Sequence, residues 1–550
     1  MSSPSDIHHG GEIGKGESQG TAREISRNQY SVDGMNAGED EVDDVAVIGA
    51  IYANGKPAKP DGGFTRHDQR DMYRMGKIQE FKRNYRPLSA LSFATVLCCV
   101  WEFLLLANTQ GLTDGGLAGL FWTYIWTFIA FGFVILSLAE MASMAPISGG
   151  QYHWVSDYMS TLSWQAGNAS GAYLTGGVIQ ALLSENTSYD PTDFEFQWQG
   201  TLFIFAMVVV VYCANVYGAS VWPRVQNALM VIHVLGFLVV IIVIWVMAPH
   251  RTAKSVFTEF SNDGGWSSMG LSLMVGQITG VYSLIGSDAS AHMAEEVKDA
   301  EIYVPIAIFW SYTGNGIIAI IALVSYLFAI PSVEDALNDP SFYPIIYVFR
   351  EAGGVPVVNG LIIIIFILVV AANVSFNAST ARQTFAFARD RGLPSSNWIS
   401  HVDPKKQVPV NAITLTCAIT CLLSLINIGS SAAFNAVISL QVVALMMTYA
   451  TSIGCVLYRR VYHPELLPHA RWSLGKWGVP VNIMGVPWCA YSFFWSFWPN
   501  SVPINLENFN WAVVLWFAVI ALAGCMYLIT GRKEYFGPVK TVRFERLAAN

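Results

Sequence analysis

Charged residues are scarce in this chain. Asp, Glu, Lys and Arg together make up 13% of its 550 residues, about half the roughly 25% of an average soluble domain. So little charge excludes a single large soluble enzyme, and it also excludes an intrinsically disordered scaffold over most of the length. The formal net charge of −8 argues against nucleic-acid binding, which requires an excess of basic side chains.

The chain also lacks the cysteine pattern of a disulfide framework. Its eight cysteines lie within or at the edge of apolar stretches, where cysteine usually behaves as a small hydrophobic residue. Cys417 and Cys421 are one helical turn apart, but no histidine or second cysteine pair accompanies them. No nucleophile–base pairing or nucleotide-binding loop is evident either. The sequence therefore predicts no metal, no other cofactor and no enzymatic activity.

The charges that are present lie unevenly along the chain. Residues 1–87 hold 26 of them, and residues 88–530 hold only 37 among 443 residues. The first segment is rich in Gly, Ser, Asp and Glu and has no sustained periodicity, which predicts a disordered tail. No apolar core follows Met1, so no cleavable signal peptide is expected. We predict a cytoplasmic tail over 1–87, a membrane domain over 88–530 and a C-terminal cytoplasmic tail over 531–550.

Long apolar runs dominate the middle segment. A hydrocarbon core about 30 Å thick requires roughly 20 apolar residues in a helix. Twelve runs of about this length are present, which predicts an all-α integral membrane protein with twelve transmembrane helices. The runs are 88–107, 118–139, 159–183, 201–219, 226–248, 269–291, 304–330, 357–379, 409–428, 434–457, 480–498 and 511–530.

The distribution of basic residues predicts the orientation. Cytoplasmic segments of membrane proteins carry an excess of Lys and Arg. With both termini inside, 28 of the 31 basic residues lie in cytoplasmic segments, and only Arg251, Lys254 and Arg350 lie in outer loops. The most natural location is the plasma membrane, with the vacuolar membrane as the alternative.

Three ionisable side chains stand out within the spans: Glu102 in span 1, His233 in span 5 and Asp288 in span 6. Such groups are costly to insert and are functional-site hypotheses by default. Glu102 follows Trp101, and a carboxylate beside an indole ring is a suitable receptor for a substrate amine; the alternative is a glutamate that reaches water. His233 is either a proton carrier or a packing histidine. We treat His233 and Asp288 as candidate ion-coupling groups.

Spans 1 and 6 look discontinuous. Span 6 contains Gly276, Gly280 and Gly286 with two nearby serines, whereas span 1 ends in Asn108-Thr109-Gln110-Gly111. Interrupted helices in corresponding positions of two inverted repeats indicate a midplane binding site. Spans 1 and 6 correspond if spans 1–5 and 6–10 form such repeats. The alternative is that the small residues only allow close helix packing.

Three local motifs resemble a known family. They are AEMASMAPISGGQYHWVS at 139–156, YSLIGSDASAHMAEEVKDAEIYVP at 282–305 and ARQTFAFARDRGLP at 381–394. They are similar to the amino acid–polyamine–organocation superfamily of permeases, in particular to its fungal branch of GABA permeases and choline transport proteins. The resemblance covers about residues 75–535.

The resemblance implies two inverted five-helix repeats plus two extra helices, and alternating access driven by an ion gradient, usually of protons. It places substrate at an unwound segment of span 6 and at span 1 from Cys98 to Glu102. Some relatives carry a coupling lysine in span 5, near the position of His233. The implied substrate-binding set is Trp101, Glu102, Tyr282, Ser283, Leu284, Ile285 and Gly286. We add Asn373 and Asn377 of span 8, whose alternative role is hydrogen bonding between helices.

Two features depart from the family pattern. Span 1 lacks the glycine-rich break that binds an α-carboxylate in many amino acid permeases, which favours substrates recognised by their amine, such as choline, GABA or polyamines. Only Val155 to Thr161 separates Trp154 from Leu162, so the cytoplasmic start of span 3 is shortened, which puts transport by this chain in doubt.

The resulting hypothesis is a proton symporter that imports a small amine-bearing solute. The alternatives are a broad-specificity amino acid permease and a non-transporting nutrient receptor on the same fold. The partners expected are the substrate, protons and the lipid bilayer, together with trafficking or ubiquitination machinery at the lysines of the N-terminal tail. Those lysines are Lys15, Lys56, Lys59, Lys77 and Lys82.

Overall fold

The computed structural model describes residues 65–537 except 76, 78, 156–158, 192–193, 429–432, 507 and 536. Over these residues the chain is helical, with one isolated parallel bridge between Tyr85 and Val297 and no strands. The shortened stretch that the sequence places before span 3 includes residues 156–158, which lie outside the described part. The acidic N-terminal stretch, Lys15, Lys56, Lys59 and residues 538–550 also lie outside it.

Twenty-two α-helices are present in the described residues. They are α1 (Arg66–Arg74), α2 (Pro87–Cys98), α3 (Val100–Leu106), α4 (Thr109–Thr113), α5 (Gly116–Met144), α6 (Gln151–Val155), α7 (Met159–Asn186), α8 (Phe194–Tyr217), α9 (Trp222–Met247), α10 (Ala253–Thr258), α11 (Met269–Gly276), α12 (Ile278–Leu284), α13 (Ala289–His292), α14 (Ala300–Ala329), α15 (Val333–Leu337), α16 (Pro344–Arg389), α17 (Ser396–Ile399), α18 (Val410–Ser424), α19 (Ala433–Tyr462), α20 (Gly478–Trp495), α21 (Ala512–Met526) and α22 (Arg532–Glu534).

Nine helical stretches within the described residues are long and apolar enough to cross a membrane. Three of the twelve predicted runs do not meet that criterion. They fall on α7, on α20 and on the pair α11–α12, which together form a shorter apolar segment, Met269–Leu284. Helix α7 is rich in Gly, Ser and Thr because it lies between α16 and α19, where small residues allow close packing.

One helix contains a sharp interruption. Within α16, Gly353 and Gly354 have non-helical backbone angles, and Gly354 has φ of +70°. Glycine tolerates this left-handed region without a steric penalty. The interruption separates a short segment from the apolar helix that carries Asn373 and Asn377.

Residues 65–86 depart from the solvated tail that composition predicts. They pack against the helical body, and we call them the N-terminal strap. Asp68 and Arg83 form a buried ion pair with Nη1–Oδ1 at 3.1 Å, and each side chain is 1% exposed. The Asp68 carboxylate also accepts from the backbone N–H groups of Asp299 and Ala300 at the start of α14. Burial of Asp68 and Arg83 is tolerated because the two charges are paired with each other and hydrogen-bonded to backbone groups of the body.

Candidate substrate and coupling sites

Two helices break at the centre of the molecule. Helix α2 ends at Cys98, and Cys99 has left-handed backbone angles, φ 38° and ψ 46°, before α3 begins. Helix α12 ends at Leu284, Ile285 is extended, and Gly286 has φ of +106°. The second break lies where the glycine and serine pattern predicts it. The first contains no glycine, which is why sequence reasoning found little sign of it.

Gly286 provides a direct test of the second break. A Cβ atom there would lie 3.1 Å from Cδ2 of Leu97, in a backbone conformation that L-residues rarely adopt. We expect Gly286→Ala to reduce uptake by about 5- to 160-fold, since such strain costs on the order of 1–3 kcal/mol. The matched control is Gly270→Ala in α11, where a Cβ would meet nothing within 4 Å. Radiotracer uptake normalised to surface protein would distinguish them, and equal uptake by both variants would refute the assignment.

A cavity of about 300 Å³ lies at the opposite ends of the two helices that follow and precede these breaks, where Leu106 ends α3 and Ile278 begins α12. It is bounded by the end of span 1, by α12 and by the segments around Tyr343 and Asn500. None of its described lining residues is Asp, Glu, Lys, Arg or His. Its polar groups are amides and hydroxyls, and its rings come from Tyr173, Tyr282, Phe342 and Tyr343. Such a lining suits a small solute whose charge is met by ring faces and peptide groups rather than by a carboxylate.

A second, smaller space of about 10 Å³ lies deeper, and Tyr282 borders both. Phe103, Ile285, Asn373 and Gln441 also line it. A space of this size has room for about one water. The Tyr282 hydroxyl donates to Ser170 Oγ at 3.3 Å, so the ring stands between the two spaces.

The span 6 and span 8 candidates are only partly brought together. Tyr282, Ile285 and Asn373 line cavity space, whereas Ser283 donates its hydroxyl to Gly280 O at 3.0 Å within its own helix. Asn377 Nδ2 lies 3.6 Å from Cys417 Sγ in α18. Leu284 and Gly286 shape the break but contribute no polar side chain. Asn377 thus makes the interhelical contact that was its alternative role.

Trp101 and Glu102 lie on another face of span 1 from the cavity. Among the described residues that line the cavities, span 1 contributes Phe103, Leu106 and Gln110 among others, but neither Trp101 nor Glu102. Each residue turns a helix by about 100°, so Trp101 lies nearly opposite Phe103. The Trp101 ring packs 6.0 Å from the ring of His233 and 6.2 Å from that of Phe237, centroid to centroid.

Glu102 and His233, which the sequence treats separately, form a buried pair. Glu102 Oε1 lies 2.7 Å from His233 Nδ1, and both side chains are 0% exposed. His233 Nε2 lies 2.9 Å from Asn315 Oδ1 in α14. The amide of Asn315 is oriented by its Nδ2, which donates to Thr95 O at 3.1 Å.

This geometry requires a proton between Glu102 and His233. Because Asn315 presents its oxygen, the Nε2 nitrogen of the ring must carry a hydrogen to donate. The 2.7 Å contact on the other side then also needs a hydrogen, either on Nδ1 or on the carboxyl. Loss of that proton would leave a carboxylate facing a nitrogen lone pair in a fully buried site, which is strongly unfavourable.

Cys99 lies close to this pair, so the ligand atoms of Cys99, Glu102 and His233 fall within 4.8 Å of one another. A metal ion is one interpretation of such a cluster. The donor atoms are already engaged, however: the Cys99 thiol donates to Val96 O at 2.9 Å, and both ring nitrogens of His233 are hydrogen-bonded. The arrangement therefore fits a proton better than a metal.

Asp288 lies in a separate polar group beyond the break in span 6. Its Oδ2 accepts from Gln151 Nε2 at 2.6 Å, and the residue is 0% exposed. Gln151 belongs to the GGQYHWV motif, so the contact joins two of the three motifs. The structure does not bring Asp288 together with His233: the two belong to different hydrogen-bonded groups.

The third motif meets the second through buried ion pairs. Arg389 contacts Glu295 through two hydrogen bonds, at 3.0 and 3.2 Å, and Arg382 Nε contacts Glu296 Oε1 at 2.8 Å. Glu295 has no exposed side-chain surface. These ion pairs connect the end of α16 to the turn after α13.

Several residues that line the cavity were not predicted from the sequence as substrate-binding residues. Gln110, Tyr173, Tyr343 and Asn500 come from four separate segments, and no local spacing links them. Asn315 was missed as well. The signal available for it was an uncompensated polar residue within an apolar span, the same criterion that selected His233.

These features define a class. A helical chain with nine membrane-length helices in its described part, and two broken spans that both line one cavity, has the architecture of a secondary transporter. The chain belongs to the amino acid permease family, whose family model matches residues 87–519. It is therefore a transporter of that family rather than an enzyme.

Individual proteins that are similar to this chain also carry permease or transporter names. Amino-acid permease 2 of Neurospora crassa is 27% identical over 503 residues, which cover 87% of this chain and 91% of the relative. The choline transporter of Saccharomyces cerevisiae is 25% identical over 471 residues, 82% of each chain. Amino-acid permease BAT1 of Arabidopsis thaliana is 29% identical over 519 residues, covering 85% of this chain and 95% of the relative.

Proposed function

We propose that this protein is a proton symporter that imports a small amine-bearing solute such as choline, GABA or another amino acid. The observation that carries the proposal is a cavity lined by both broken spans and free of charged side chains in its described lining, together with the buried Glu102–His233 pair on another face of span 1. The names of the relatives, which include amino acid permeases and a choline transporter, support this substrate range.

The proposal includes twelve membrane-spanning helices over 88–530, with spans 1–5 and 6–10 as inverted repeats and cytoplasmic tails at 1–87 and 531–550. The nine apolar stretches support it, as do α7, α20 and the broken α11–α12, which occupy the remaining three positions. The basic residues favour cytoplasmic termini, with the plasma membrane as the location. In this orientation the main cavity faces outside. Lys82 of the strap is exposed, which would make it accessible to the trafficking machinery, whereas Lys77 is paired with Asp390.

In this proposal the amine of the substrate is recognised by the aromatic rings that line the cavity rather than by the carboxylate of Glu102. The cation of an amine attracts the faces of tyrosine rings, by up to about 2 kcal/mol when desolvated. Tyr282 and Tyr343 both line the cavity. The broken ends of α3 and α12 leave peptide groups available for the other end of the substrate.

A ring-deletion series tests this recognition. Tyr282→Leu is expected to raise the KM for choline by about 3- to 30-fold, corresponding to the roughly 0.5–2 kcal/mol of a cation–π contact. Tyr282→Phe keeps the ring and loses only the hydroxyl contact with Ser170, so it should stay near wild type. Tyr458→Leu, at an exposed tyrosine, is the control. Equal KM values for the leucine and phenylalanine variants would exclude ring-based binding.

The test of the function itself is uptake of labelled choline and GABA by cells lacking their own carriers. The measurement is made with and without a proton uncoupler and with a surface-expression control. Saturable, uncoupler-sensitive uptake of either solute would support the symporter. Absence of uptake of choline, GABA and a panel of neutral amino acids, with normal surface delivery, would refute it and favour the receptor.

A further inference from the structure

Asp114 is a buried carboxylate that contacts Gln110, one of the residues lining the main cavity. It lies between α4 and α5 and is 0% exposed. Its Oδ1 accepts from Trp266 Nε1 at 3.1 Å, and its Oδ2 accepts from Gln110 Nε2. Its backbone oxygen accepts from Ser272 at the start of α11. One acidic residue thus connects the last turn of span 1 to the first turn of span 6.

Gln110 links this carboxylate to the cavity. The same Nε2 that donates to Asp114 also donates to Asn500 O at 2.8 Å. Gln110 and Asn500 both line the cavity, so their contact bridges one side of its rim. We call it the Gln110–Asn500 bridge.

Ionisation of Asp114 favours this hydrogen-bond pattern. An ionised carboxylate accepts from both donors with charge assistance, whereas a protonated carboxyl gains a donor and keeps fewer acceptor positions. A hydrogen on Oδ2 that faces Gln110 would oppose the amide N–H groups, and rotating the amide would turn the Gln110 oxygen towards the carbonyl of Asn500. A hydrogen on Oδ1 would remove the charge assistance from the bond to Gln110. In each case Asp114 holds the Gln110 amide less firmly, so protonation weakens the bridge.

We infer that Asp114 is a proton-binding site on the outer side of the protein, and that proton binding there opens the cavity rim by releasing the Gln110–Asn500 bridge. The inference rests on the proposed function for its orientation and for the identity of the cavity. It adds a proton site distinct from the Glu102–His233 pair and assigns it control of substrate access.

The surroundings of Asp114 place the titration of its carboxyl near neutral pH. Burial raises the pKa of the Asp114 carboxyl to about 7, against the lowering effect of hydrogen bonds from Gln110, Trp266 and Ser272. Asp263, exposed on the neighbouring turn, adds a like charge that also raises this pKa. The side chains that hydrogen-bond to Asp114, those of Gln110, Trp266 and Ser272, are uncharged. Because the Gln110 bond lowers the pKa, the bridged state binds the proton more weakly, and acid therefore favours release.

The test measures rim accessibility without substrate. Thr109→Cys places a reporter thiol at an exposed position in the cavity lining. Thr258→Cys provides a reference thiol at an exposed position of α10. Intact cells are treated with a membrane-impermeant thiol reagent at external pH 5.5 to 8.5, and background from the native cysteines is subtracted. For a pKa near 7 the protonated fraction changes by about 30-fold over this range. The ratio of labelling in Thr109→Cys to labelling in Thr258→Cys should rise at least about threefold towards acid pH.

Two variants decide whether Asp114 is responsible. Asp114→Asn removes the titration and should hold the ratio constant across the range, whereas Asp263→Asn, a neighbouring exposed acid, should keep it. Gln110→Met removes the amide but leaves Asp114 in place, and it should also abolish the pH dependence, which covers the case in which Asp114→Asn does not reach the surface. A wild-type pH dependence in Asp114→Asn or in Gln110→Met would overturn the inference.

The result is separable from the proposed function. Uptake of choline or GABA with a pH-independent labelling ratio would refute the Asp114 site and leave the symporter in place. A titrating ratio that Asp114→Asn abolishes, in a protein that transports none of the tested solutes, would support the site and refute the transport proposal.

Discussion

A Glu102→Gln variant is expected to reach the cell surface and to lose proton-driven accumulation of substrate. The glutamine amide can donate to His233 Nδ1 while His233 Nε2–H still donates to Asn315, so the hydrogen bonds survive with a neutral ring. What disappears is the exchangeable proton. One charge moving through 100 mV supplies about 2.3 kcal/mol, enough for about 50-fold accumulation. For GABA, a zwitterion whose transport moves charge only through the proton, the variant should approach an accumulation ratio of about 1, whereas the membrane potential would still drive accumulation of the choline cation.

The measurement compares accumulation at steady state with and without an uncoupler. His233→Gln should lose coupling as well, because it removes the other half of the pair. Glu334→Gln, at an exposed position of α15, is the matched control and should behave as wild type. Wild-type accumulation that remains sensitive to the uncoupler in Glu102→Gln would show that coupling resides elsewhere, with Asp288 as the next candidate.

The second large effect concerns stability. Arg389→Gln is expected to lower the free energy of unfolding by about 3–5 kcal/mol, because it removes the charged partner of the buried Glu295 carboxylate and leaves only the weak contact with Ser148 N–H. Adding Glu295→Gln should recover a large part of this loss, since the double variant contains no uncompensated charge. Thermal denaturation of the detergent-solubilised protein, monitored through a C-terminal fluorescent fusion, would rank the variants by stability.

Arg391→Gln serves as the control for that series, because Arg391 is exposed on the turn after α16. If the double variant is no more stable than Arg389→Gln alone, the two side chains do not act as a pair. The same cycle applied to Arg382 and Glu296, which lie 2.8 Å apart at Nε and Oε1, should show coupling of the same sign.

Much of the class of this protein is visible without coordinates. Scarce charge and long apolar runs predict a helical membrane protein, and three local motifs indicate the permease family that the family model then identifies. The break in span 6 was also predictable, because Gly286 marks it. These features depend on composition and on neighbours along the chain, which the sequence displays directly.

The strap shows where composition misleads. Charge and glycine over residues 1–87 predict a solvated segment, yet Asp68 and Arg83 are almost completely buried. Their partners, the turn at Ala294 and the start of α14, are more than 200 residues away in the chain. An interpretation based on short stretches of sequence cannot detect partners so far away in the chain.

The helical membrane class, the family and the glycine-marked break can be predicted from the sequence, because hydropathy, motif and backbone freedom are local properties. The packing of distant helices is needed to see that Glu102 meets His233, which in turn contacts Asn315, rather than the cavity, and that Asp114 joins the ends of two broken helices. The physical reason is that a helix presents every side of its surface to different neighbours. Which side meets a cavity, a charge or lipid depends on the packing of helices far apart in the chain.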